Sequence, residues 1–179
     1  MAAERKNRYS FTVSDEPMTL EEQIQYYLRH KRSLAIHGKR ESLAKILPSI
    51  PYNFVLELNN ETEYKDFFGG TRPSSDGSYL EKVPPAWYNE FCAYCKEHEG
   101  NDCALLIRGI TKCEPSKQVW LNTLTDMHER ALRPGYAPLP ANAAVFVLVE
   151  DKEEADYAYH NVTEQVFRRL AHIFLDKDK

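Results

Sequence analysis

The sequence predicts an α/β fold: a three-layer sandwich on a central, mainly parallel five-stranded sheet. Three observations carry the prediction. Short apolar runs recur at 33–38, 52–59, 103–107, 143–149 and 171–176, as strands covered on both faces do. Helical patterns lie between them, which supplies the crossovers that parallel strands need. At 179 residues with 42% apolar side chains, the chain is long enough to bury one core and fits one domain.

Taken in order, residues 1–17, with Ser14, Asp15, Glu16 and Pro17, read as a polar arm, and 18–179 as a single α/β domain. A helix follows from Thr19, which has Glu22 three residues on for a capping box; Ile24, Tyr27 and Leu28 form its apolar stripe. SLAIHG (33–38) is the first strand, and RESLAKIL (40–47) a helix stopped by Pro48. YNFVLELN (52–59) is the second strand. Residues 60–83, rich in glycine, serine and proline, form a long polar connection of the kind that is either disordered or functional. Pro84-Pro85 opens a helix over 85–98 with Trp87, Phe91 and Cys95 on one side, and Gly100 ends it. After the third strand, Pro115 starts a helix reaching 132, its buried face marked by Trp120, Leu124, Met127 and Ala131. AAVFVLV (143–149) is the fourth strand. An acidic irregular stretch leads to a helix at 161–170 and the fifth strand, AHIFLD (171–176). In such sheets ligands sit at the carboxyl ends of strands, so the residues after 37, 107 and 149 carry the interest.

A net charge of −4 argues against binding nucleic acid by phosphate neutralisation. No apolar run approaches the ~18–20 residues of a membrane span, and MAAERKNRYSF lacks the apolar centre of a signal peptide. A cytoplasmic location is expected, with Cys92, Cys95, Cys103 and Cys113 as thiols. Four thiols could close a zinc site, but Cys92-x-x-Cys95 falls within a helix and Cys103 opens a buried strand, so small apolar packing groups are the plainer reading. There is no HExxH and no G-x-S-x-G; the helix tyrosines 26, 27, 88 and 94 read as packing or interface residues.

From Thr19 to Asp176 the chain resembles the MoxR-type branch of the AAA+ ATPases, a P-loop NTPase fold. TLEEQIQYYLRHKRS leading into SLAIHG is similar to that family's first helix and phosphate-loop strand. CALLIRGITKCEPSKQVWLNTLTDMHERAL is similar to its magnesium-binding strand and the helix after it, and LPANAAVFVLV to its sensor strand. The resemblance implies an ATP site, but its defining motifs are disrupted. Against G-x-x-x-x-G-K-[ST] this chain reads GKRESLAK from Gly38, with Leu43, Ala44 and Lys45 where glycine, the phosphate lysine and the magnesium hydroxyl belong. Where the family has Asp-Glu to hold magnesium and activate water, Arg108-Gly109 stands. Arginine offers no lone pair to a metal and is no base at neutral pH. Val149 is followed by Glu150 and Asp151 rather than the family's water-orienting Asn. Arg169, beside Arg168, aligns with the arginine the family extends to a neighbour's nucleotide; a purely intramolecular ion pair is the competing reading. The family's helical lid is not expected in this domain.

Losing one such electrostatic contact costs on the order of 10²–10³ in rate, and several are lost together. The leading expectation is therefore a non-catalytic binding or regulatory protein with no cofactor, docking on a protein partner such as an intact AAA+ ATPase. Gly38, Lys39, Arg40, Lys45 and Arg108 would frame a vestigial nucleotide or anion site, or else be ordinary solvated charges. The alternative is a nucleotide binder or ATPase with a rearranged site, in which Lys45 reaches the phosphates and Glu150 or Asp151 supplies the carboxylate.

Overall fold

A computed structural model describes residues 17–153 and 158–176. The expected arm at 1–17 and part of the acidic stretch fall almost wholly outside the described residues. Helix α1 (Leu20–Arg29) starts as its sequence dictates: Thr19 Oγ1 accepts from the Glu22 amide at 3.1 Å, and the Glu22 carboxylate accepts from the Thr19 amide at 2.9 Å. Its apolar stripe buries Ile24 and Leu28. Strand β1 (Leu34–Gly38) runs into α2 (Arg40–Ile46), and Pro48 tightens the chain into a 3₁₀ turn at Leu47–Ser49. Strand β2 (Asn53–Glu57) follows.

The 60–83 connection, expected without regular structure, contains helix α3 (Tyr64–Phe68) and a hairpin of β3 (Gly70–Pro73) with β4 (Leu80–Val83). Phe67 and Phe68 are the reason: in a polar stretch they still supply a buried anchor, and the Trp87 indole N–H donates to the Phe67 carbonyl at 2.9 Å. Helix α4 (Ala86–Glu97) buries Trp87, Tyr88, Phe91 and Cys95 and leads to β5 (Cys103–Arg108).

The continuous helix expected over 115–132 is broken. It becomes α5 (Pro115–Gln118), a 3₁₀ turn, and α6 (Asn122–Thr125). The Thr125 hydroxyl bonds back to the Leu121 carbonyl at 2.8 Å. Asp126 turns extended, and its carboxylate accepts from the His128 and Glu129 amides at 2.8 and 2.9 Å. These short polar side chains compete with helical hydrogen bonding. Met127, expected on the buried face, is consequently exposed, while Leu124 and Ala131 are buried. Strand β6 (Ala143–Glu150), helix α7 (Glu164–Phe167) and strand β7 (Ala171–Phe174) complete the chain; α7 is shorter than its sequence pattern, its start set by the Thr163 cap.

The main sheet has the order β2-β5-β6-β1-β7, with every pairing parallel. Side chains of β6 alternate between its faces. Ala144, Phe146 and Leu148 pack with α1 and α2, while Val145, Val147 and Val149 pack with α3, α4, α6 and α7. Helix, sheet and helix thus form the three layers expected.

Candidate functional site at the strand tips

The parallel register brings the carboxyl ends of the strands together, and most of them end in charge. Glu57 stands opposite Arg108, and Gly38 opposite Glu150. The Arg108 guanidinium meets Glu57 at 3.2 Å and Glu150 at 4.0 Å. Arg40, the first residue of α2, meets the other oxygen of Glu150 at 3.3 Å. Two of the sequence-derived cations are therefore gathered into one ladder with two carboxylates.

The start of α2 is also occupied by the chain itself. The Asp176 carboxylate accepts from the Lys39 amide at 2.9 Å and from the Ser42 hydroxyl at 2.9 Å. A carboxylate here complements the helix dipole. Its oxygen lies 3.0 Å from where a Cβ on Gly38 would sit. Lys45 lies exposed in the last turn of α2, a full turn beyond Arg40. Glu150 faces the two arginines, and the Asp151 amide donates to the Gly38 carbonyl at 2.9 Å.

Gly109, immediately beyond β5, has φ of +84°, and a Cβ there would stand 2.0 Å from the Leu58 carbonyl oxygen. The close approach continues the β2–β5 pairing: the Leu58 amide donates to the Arg108 carbonyl at 2.9 Å. This backbone path admits no side chain at 109, a glutamate included.

At the other edge, Arg169 meets Asp126 at 3.5 Å and Arg168 meets Glu164 at 2.5 Å. Beside them is a ring cluster that sequence reasoning missed. His37 and His172, on adjacent strands β1 and β7 and two residues out of register, join Nε2 to Nδ1 at 2.8 Å; His172 Nε2 meets the Phe167 carbonyl at 2.7 Å. Phe167 stacks on His172 and Phe174 on His37. Burial, and then the neighbouring His172 ring, holds the His37 pKa down to about 4. The period-two placement of His172 and Phe174 on one strand face was the signal available.

Cys92 and Cys95 sit one turn apart on α4, and burial pushes the Cys95 thiol up to about 12, so it is a poor nucleophile. Among the described residues, no group of three or more His, Cys, Asp or Glu is arranged to hold a metal. Nor does any described helix have the length and apolarity to cross a membrane.

The fold is α/β, with helices on both faces of a central parallel five-stranded sheet. Solved structures share it: 109 chains match, among them a candidate ATPase from Cytophaga hutchinsonii with a TM-score of 0.52 at 13% identity. The match covers 87% of this chain and 46% of that one, so the chain spans about half the length of that structure. No protein-family model matches the sequence, and no curated protein does.

Proposed function

We propose that the chain is a degenerate relative of the MoxR-type AAA+ ATPases that binds or regulates a protein partner without hydrolysing ATP. The observation that carries this reading is the tip of β5. Arg108 stands in the metal-ligand position with its guanidinium held between Glu57 and Glu150. Gly109 stands in the base position on a backbone with no room for a side chain. ATP and magnesium do not fit the residues present: α2 offers Leu43, Ala44 and Lys45 in place of the phosphate-loop residues, and Asp176 takes the Lys39 amide. No catalytic step is derived through either group.

The test is ATP turnover by the purified chain, with calorimetry against ATP, ADP and phosphate in the presence and absence of magnesium. Background turnover is expected, as is no nucleotide binding that magnesium strengthens. Magnesium-dependent hydrolysis that follows the protein through purification overturns the proposal in favour of a rearranged ATPase. Co-purification with an ATPase that has intact motifs is the expected positive result for a partner.

A further inference from the structure

One end of the main sheet is β2, and among the described residues its one strand neighbour is β5. The strand has no proline, lysine or bulge, three devices that keep natural sheet edges from pairing. Its backbone directions follow from its bonds to β5. The Ala104 amide donates to the Tyr52 carbonyl at 2.9 Å, and the Leu58 amide donates to the Arg108 carbonyl at 2.9 Å. With Asn53 opposite Ala104 and Glu57 opposite Arg108, the backbone groups of Tyr52, Phe54, Leu56 and Leu58 face β5. Those of Asn53, Val55 and Glu57 therefore face away from the sheet. The Tyr94 hydroxyl meets the Asn53 backbone. The amides and carbonyls of Val55 and Glu57 make no hydrogen bond among the described residues. Val55 is apolar yet 43% exposed, and it borders a hollow with Ala44 and Leu47 of α2.

We propose that β2 pairs antiparallel with β2 of a second copy of this chain, about a two-fold axis through Val55. The strand is complementary to itself in that direction. NFVLE laid against its own reverse sets Val55 on Val55, Phe54 on Leu56 and Asn53 on Glu57. Apolar residues meet apolar ones and polar residues meet polar ones. No like charges meet: Glu57 stands across from a neutral Asn53 and keeps its own Arg108 at 3.2 Å. Parallel pairing in register would set Glu57 beside Glu57. The backbone agrees with the antiparallel choice. With the axis at Val55, the outward-facing residues are opposed as hydrogen-bonded pairs, with Cα atoms about 5.5 Å apart. The two Val55 residues exchange reciprocal N–H···O bonds, and each Glu57 amide meets the opposite Asn53 carbonyl. The two Val55 side chains then touch on the α2 face, and Phe54 touches Leu56 on the other, the cross-strand contacts that stabilise antiparallel pairs. A two-fold contact of this kind is closed and adds no third copy. The seam is only 5 residues long, so the dimer forms and parts with concentration rather than being permanent.

The proposal does not rest on the ATPase reading, and the two can fail separately. The test is sedimentation and amide hydrogen exchange of the chain from micromolar to millimolar concentration. A monomer–dimer equilibrium is expected, with exchange at Val55 and Glu57 slowing as the dimer forms and exchange at Phe54 and Leu56 changing much less. Val55→Pro removes an amide that β5 does not use, so it should fold and weaken dimerisation at least tenfold. Val55→Lys keeps the amide and adds the charge that natural edges carry, and it should do the same; circular dichroism checks the fold of each. Asn53→Lys and Asn53→Glu both forfeit the hydrogen bond from Asn53 to the Ile50 carbonyl, but the first opposes Glu57 with a cation and the second with an anion. The first should dimerise at least tenfold more tightly than the second. A chain that stays monomeric throughout overturns the proposal and leaves the edge to a strand of another protein. Protection of Val55 and Glu57 that is independent of concentration overturns it in favour of this chain's own residues. A dimer indifferent to both Val55 variants, or to the sign of the charge at 53, overturns it by placing the interface elsewhere.

Discussion

His37 and Gly109 show how much a single position can fix. The Phe167 carbonyl can only accept, so His172 carries its proton on Nε2 and offers Nδ1 as acceptor to His37 Nε2–H. His37 in the fold resists protonation until about pH 4, whereas in an unfolded chain it titrates near 6.5. Between those values the unfolded state binds the extra proton. The contribution of His37 is thus fully present above pH 6.5 and is lost as pH falls toward 4. His37→Phe keeps the ring stack and removes the proton site, so urea midpoints measured from pH 4 to 7 should vary less with pH than in the parent; an unchanged slope would refute this account. Gly109→Ala meets both a left-handed φ and the Leu58 carbonyl, and should cost about 3 kcal/mol or more. Gly77 also has positive φ but open space around it, so Gly77→Ala should cost about 1 kcal/mol. Comparable urea midpoints for the two variants would count against the close-approach argument.

Among the elements, the best-determined boundary is the start of α1. Thr19→Ala removes one half of a reciprocal cap and should cost about 1 kcal/mol in chemical denaturation, with faster amide exchange at Glu22. That cap was readable because both partners lie within four residues. The five strands were readable for a similar reason: each is a local apolar run, and alternation with helices implies parallel pairing. Helix 115–132 was misread because its apolar spacing continues through Met127 while Thr125 and Asp126 divert the backbone, a competition that periodicity does not register. The hairpin at 70–83 was hidden because its strands have little burial, so no alternation marks them. For the site, Gly38, Arg40 and Arg108 were placed by the rule that strand ends carry function. The same rule pointed to Glu150, whereas Glu57 on β2 and Asp176 just beyond β7 are brought near only by register and strand order. Gly109 looked like a lost base; its positive φ and contact with Leu58 give it a backbone reason of its own.

Across the whole molecule, strand order predicts how stability is distributed. Strand β6 has β5 on one side and β1 on the other, and seven of its eight residues are buried, from Ala143 to Val149. Opening it requires separating both neighbours and exposing both cores, so its amides should exchange only through global unfolding. Strands β2 and β7 have one neighbour each, and β2 is only partly buried. The β3–β4 hairpin is a separate two-stranded sheet with Tyr79 and Leu80 largely exposed, and two strands alone are marginal in water. Hydrogen exchange should therefore rank the hairpin fastest, β2 and β7 intermediate, and β6 slowest. Phe146→Ala in β6 should lower global stability by about 3–5 kcal/mol and speed exchange in all five strands together. Leu80→Ala should leave β6 exchange unchanged. Hairpin amides protected as strongly as those of β6, or a β6 rate that responds to Leu80→Ala, would show that the hairpin is tied into the main core rather than carried outside it.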